Sequence, residues 1–102
     1  MVKLVCLISR PPQISAADFR RWWLEHHAGI AARLPALRRY TISLPEGGGD
    51  AAPFDGVAEL WFDSEEAMAL AFASPAGEEC SREDRELVGG RIAFVTREHV
   101  IV

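Results

Sequence analysis

Trp22, Trp23, His26 and His27 crowd into one short stretch, Trp22-Trp23-Leu24-Glu25-His26-His27, and are the residues here best suited to chemistry. An imidazole titrates near neutral pH, so a histidine beside a pocket can act as general acid or base. Adjacent histidines on an α-helix point roughly 100° apart, which is not the i, i+4 geometry of a zinc pair, and no metal is expected. The bland alternative is a boundary histidine hydrogen-bonded to backbone. Phe19, Trp23, Ile30 and Leu34 fall on one helical stripe, and His26 and His27 lie about 50° to either side of its centre. Periodicity does not choose between them.

Three further residues join the candidates. Tyr40 shares a strand face with Ile42 and Leu44, so its phenol is either core, with a partner, or a hydrogen-bond donor to a ligand. Trp61 has the opposite parity to Ala58, Leu60 and Phe62, which puts it in a subunit interface or on a cavity wall. Asp84 lies in a charged segment, where it is a solvated surface charge unless it reaches back to orient a histidine. The chain has no nucleophile elbow, Walker loop, dinucleotide fingerprint or His-Glu-x-x-His.

These residues need elements to hold them. Val2 to Ser9 is apolar on both alternating sets and reads as a strand ended by Pro11-Pro12. Ser15 caps a helix from about Ala16 to Leu34, closed by Pro35. A second strand covers Ala36 to Leu44. Pro45 to Pro53, rich in glycine, is a long hairpin loop or a lid, and lacks the Lys-Ser/Thr of a phosphate cradle. Asp55-Gly56 leads into a third strand, Val57 to Phe62. Ser64 caps a helix over Glu65 to Ala73 with Ala67, Leu70 and Ala71 as its apolar stripe, and Ser74 to Gly77 breaks it. A charged helix over Glu78 to Leu87 and a strand over Arg91 to Val102 complete one domain, 1–102.

The order βαββαβ makes an α+β, ferredoxin-like fold, a four-stranded antiparallel sheet with its helices on one face. The other face then exposes Val5, Leu7 and part of the last strand, an apolar surface that suits packing against a second copy. An RNA-recognition domain has the same topology, but the third strand, Gly56-Val57-Ala58-Glu59-Leu60-Trp61-Phe62, lacks its basic and aromatic signature.

Composition limits the choices. The chain has 102 residues, 49% apolar and 25% charged, enough for one core. A net charge of −4 argues against nucleic acid as partner. The absence of a long apolar run or a leader leads us to expect a cytoplasmic protein that does not enter membranes. Two cysteines are too few for a disulfide framework; Cys6 reads as core and Cys80, in a polar stretch, as a candidate for exposure.

Taken together the chain resembles the EthD family of the dimeric α+β barrel superfamily. The resemblance is carried by Phe19-x3-Trp23-x3-His27, by Leu34-Pro35-x-Leu37-x2-Tyr40, by Asp55-Gly56 entering Ala58 to Ser64, by Ser74-Pro75 and by Glu83-Asp84. It implies a homodimer with a pocket in each subunit between helices and sheet. It also selects His27 over His26 as the acid/base candidate, with Tyr40 and Asp84 as assistants. The superfamily includes lactone isomerases, polyketide cyclases and metal-free monooxygenases, so the fold does not carry the reaction with it. His26 and the Gly-rich loop are outside the pattern.

The leading expectation is therefore a cofactor-independent isomerase, lyase or cyclase acting on a small aromatic or lactone-like metabolite. His27, Tyr40 and Asp84 would be catalytic, and Trp23, His26 and Trp61 would bind the ligand. The alternative is a non-catalytic ligand-binding or accessory dimer. Haem ligation has only His26 and His27 in its favour.

Overall fold

The computed structural model describes residues 1–48 and 51–102. Four strands, β1 (Val2–Ser9), β2 (Arg39–Ser43), β3 (Gly56–Phe62) and β4 (Gly90–Arg97), form one antiparallel sheet in the order β2-β3-β1-β4. Four helical segments pack on one of its faces: α1 (Ala16–Trp22), α2 (Ala28–Ala31), α3 (Glu65–Ala73) and α4 (Pro75–Leu87). A π-helical turn, Trp23–His27, joins α1 to α2 without a break. This is the expected ferredoxin-like βαββαβ arrangement.

Side-chain alternation sorts the two faces of the sheet. Val2, Leu4, Cys6 and Ile8 of β1 are buried under the helices, together with Ala58, Leu60 and Phe62 of β3. Phe19, Trp23, Ile30 and Leu34 close over them from the helical side, which confirms the stripe. Cys80 is buried in the same core, not exposed, because α4 lays that side down against α2.

Serine caps start the helices. Ser15 Oγ accepts from Asp18 N at 3.1 Å, Ser64 Oγ from Ala67 N at 3.1 Å, and Ser74 Oγ from Gly77 N at 3.2 Å. The break between α3 and α4 is thus only Ser74, with Pro75 at the first helical position, where its missing N–H costs nothing. In α3 the buried residues are Met68 and Ala71, whereas Leu70 is 67% exposed. That helix is apolar nearly all round, so its pattern does not fix which side turns inward.

Three elements are shorter than expected. The second strand runs only over Arg39–Ser43, not Ala36 to Leu44, and Ala36 ahead of it has a φ of 62°, outside the extended range. The long helix ends at Ala31, although Arg33 N and Leu34 N still bond to Ile30 O and Ala31 O as a tightened last turn. β4 stops at Arg97 because it pairs there with Val2, the first residue of β1, and beyond that point the ladder has no partner. In the Gly-rich segment, Glu46–Gly48 form a 3-10 turn with Gly47 at φ 79°, while Gly49 and Asp50 of the hairpin-or-lid segment lie outside the described residues.

The open face presents Val5 and Leu7 of β1 opposite Phe94 and Ile92 of β4, with Val57 on the other side of Leu7. Ile92 and Phe94 are 54% and 50% exposed. At one end Lys3 pairs with Glu59 at 2.8 Å and with Glu98 at 3.1 Å. Among the described residues no helix is long and apolar enough to cross a membrane.

Candidate functional site

The space between helices and sheet is not filled. A narrow cleft of ≈ 40 Å³, opening to solvent, has its polar wall made by Trp22, Trp23, His27, Tyr40, Asp84 and Arg91. Aliphatic residues of β1 and β3 make its floor.

Trp23 sets the back of the cleft, and the turn before β3 makes room for it. A Cβ at Gly56 would collide with the Trp23 ring. Asp55 ties this turn to the end of β1, accepting from Arg10 N at 2.8 Å and from Arg10 Nη1 at 3.0 Å. Asp55-Gly56 therefore places the ring against which Tyr40 is held.

The π-turn places the histidines. Its wider i→i+5 ring turns through less than an α-helix's roughly 100° per residue and brings neighbouring side chains closer in direction. His26 and His27 consequently reach the same carboxylate, Glu83 of α4. His27 Nδ1 lies 2.7 Å from Glu83 Oε1, and His26 Nε2 lies 2.8 Å from Glu83 Oε2. Glu83 is 3% exposed and His27 is 7% exposed, whereas the His26 side chain is 59% exposed.

Charge then fixes the proton positions. Burial by itself would raise the Glu83 carboxyl, but hydrogen bonds from His27 and His26 outweigh it and hold the group below the usual carboxylate range. An ionised carboxylate only accepts, so His27 Nδ1–H and His26 Nε2–H are the donors. In neutral His27 the lone pair is therefore on Nε2. That atom lies 3.5 Å from Asp84 Oδ1, and Asp84 Oδ2 lies 3.5 Å from Arg91 Nε.

Asp84 differs from its neighbour. Burial pushes its carboxyl above the ordinary value, the nearby His27 and Arg91 pull it down, and the Glu83 charge adds to the rise. Adjacent carboxyls on one helix are thus driven apart, Glu83 held down by its histidines and Asp84 held up by burial. Such separation is how one site obtains both an acid and a base.

Tyr40 is pushed up to about 12, chiefly by burial, against the opposing hydrogen bond from Trp23. It remains a phenol at neutral pH. Trp23 lies beside the phenol and partly offsets that rise. Cys80 is raised to about 11 by burial and by Asp84, Glu83 and Glu79, and burial also raises Cys6. Both thiols on the cleft wall stay protonated, and a thiolate nucleophile is disfavoured.

Of the residues singled out from sequence, His27, Tyr40, Asp84 and Trp23 meet at the cleft. His26 does not line it and instead holds the outer oxygen of Glu83. Trp61 lies on the opposite face of the sheet, 7% exposed, between Lys3 Nζ at 5.1 Å and the Arg39 guanidinium at 4.7 Å. Glu83 was not among the candidates, and Trp22, named in the cluster but given no role, stacks on His27 with ring centroids 4.9 Å apart. The only sequence signal for Glu83 was its place in the Glu83-Asp84 pair.

Comparison with known proteins fits this geometry. The EthD domain model matches residues 11–88, which hold every cleft residue except Leu4, Cys6, Ile8 and Arg91. No curated protein matches the sequence. Among solved structures, an ethyl tert-butyl ether D (EthD) family protein from Bacillus halodurans C-125 superposes with a TM-score of 0.82 at 21% identity, covering 97% of this chain and 99% of that one. A mutant form of SnoaB from Streptomyces nogalater, a cofactor-independent oxygenase, gives 0.74 at 18% identity over 99% and 95% of the two chains. A dimeric ferredoxin-like protein of unknown function from Thermobifida fusca gives 0.76 at 15% identity over 93% and 88%. At such identities these structures speak for the fold alone, but the match of the EthD model to most of the chain shows that it belongs to the EthD family.

Proposed function

We propose that this protein is a homodimeric acid/base enzyme, an isomerase, lyase or cyclase of a small aromatic or lactone-like metabolite. One observation carries the reading. A histidine anchored through Nδ1 by a buried carboxylate turns Nε2 toward a half-apolar cleft, where a second carboxyl of raised pKa and a phenol O–H also converge.

The chemistry follows from these roles. Nε2 of neutral His27 takes a proton from carbon next to a carbonyl, and Glu83 stabilises the imidazolium that forms. Tyr40 donates to the developing enolate oxygen in a site with little water to compete. Asp84, or His27 itself, returns a proton at a different atom, which completes an isomerisation or an elimination. SnoaB supports catalysis without a cofactor in a related fold, though its reaction belongs to that protein. The dimer is supported by the exposed apolar strip along β1 and β4 and by the dimeric relative from Thermobifida fusca.

Furan-2(5H)-one, a small unsaturated lactone, is a suitable probe. In D2O the protein should accelerate deuterium uptake at its acidic carbon, followed by proton NMR. His27→Ala should lower that acceleration about 100- to 10,000-fold. Unchanged exchange in the variant would refute the role of His27. Stoichiometric lactone binding with no exchange would favour a binding or accessory protein.

A further inference from the structure

Trp22, the last residue of α1, has an indole Nε1–H that is buried and meets no acceptor among the described residues. Buried donors are nearly always paired, because a lost hydrogen bond to water is otherwise uncompensated.

The ring that carries this orphan donor lines the cleft. The Trp22 ring forms part of its wall and is held from both sides, by Phe19 with centroids 5.5 Å apart and by His27 at 4.9 Å with the ring planes 28° apart. That stacking fixes the indole plane and leaves the N–H on a ring lying directly against the acid/base candidate. Of the other polar groups of this wall, His27 is engaged by Glu83 and Asp84, and Asp84 also by Arg91.

We infer that Trp22 is a ligand-binding residue whose Nε1–H receives an oxygen acceptor of a small flat ligand, a ring carbonyl or lactone oxygen, beside His27. An indole only donates, so the matching atom must be an acceptor. The aliphatic floor and the stacked aromatic wall favour a ring over a chain. This assignment rests on the cleft being the ligand site, but not on proton transfer by His27.

Coumarin and 2H-chromene, which differ in the ring carbonyl, separate the hydrogen bond from apolar filling. With 15N-labelled indoles, coumarin should move the Trp22 Nε1–H resonance downfield and chromene should not. Trp22→Phe assigns that resonance and keeps an aromatic ring. It should weaken coumarin binding about 3- to 10-fold and leave chromene within about twofold. The wild-type indole shift reads the contact whether or not the variant folds. A Trp22 resonance that ignores coumarin, or equal losses for both probes, would overturn the assignment and leave trapped water as the acceptor. Failure of both probes to bind would overturn the cleft as a ligand site as well. Coumarin binding as expected, with no lactone exchange, would instead count against acid/base catalysis alone.

Discussion

The two faces of the sheet solve opposite problems. On the helical side polar groups are buried and paired: Glu83 between two histidines and His27 between two carboxyls. On the open side apolar groups are exposed, with Ile92 and Phe94 about half in solvent. A buried ionic network stabilises a fold weakly and is costly to leave incomplete, so it is better evidence of function than of stability. Exposed apolar strand residues favour association and have no use in proton transfer. The contrast is the ground for proposing chemistry on one face and assembly on the other.

The comparison can be broken from either side, and the open face promises the larger effect. Phe94→Asp puts a charge into the proposed interface, and truncation of a central aromatic there typically costs about 2 kcal/mol or more. Sedimentation should then show a monomer whose histidine NMR signals are those of the parent. A variant that stays dimeric would move the interface elsewhere.

Glu83→Gln tests the helical side. It keeps the volume but loses the anion that accepts from both rings, and the expected loss is about 1–3 kcal/mol. The pH dependence has a definite sign. The folded-state value of Glu83 is depressed, so its contribution is complete above the ordinary carboxylate pKa and is lost as pH falls through the lower folded value. Urea unfolding of the parent should therefore weaken in that acid range, and Glu83→Gln should flatten that part of the curve.

Asp84→Asn should have the smallest effect on stability, and of opposite sign. Its carboxyl is raised, so keeping it ionised at neutral pH opposes folding, and stability falls as pH rises through the ordinary and then the raised value. The variant should melt slightly higher than the parent at neutral pH while losing lactone exchange. That pairing is characteristic of a group kept for function. A lower melting temperature would make Asp84 a structural residue.

The elements were legible in the sequence because strand alternation, serine caps and proline breaks are local signals. The Glu65–Ala73 helix and the apolar stripe of the first helix follow from them directly. The site was legible only in part. Straight-helix geometry left His26 and His27 on equal terms, because nothing in Trp22-Trp23-Leu24-Glu25-His26-His27 announces a π-turn; the family resemblance, not periodicity, pointed to His27. Glu83 lies 57 residues from His26 and looked like one more charge in an acidic segment. Its meaning depends on where α4 docks, which is a tertiary fact. Trp61 shows the reverse limit, since parity put it correctly on the face away from Leu60 but could not foresee Lys3 and Arg39 covering it.

The proton arrangement on His27 tests the central claim most directly, and it needs no substrate. In 15N NMR of histidine-labelled protein with His27 neutral, Nδ1 should carry the proton and Nε2 should show the shift of a bare, imine-type nitrogen. Glu83→Gln should weaken that preference. A neutral His27 protonated at Nε2, with Nδ1 bare, would contradict an ionised Glu83 as its anchor and with it a base facing the cleft.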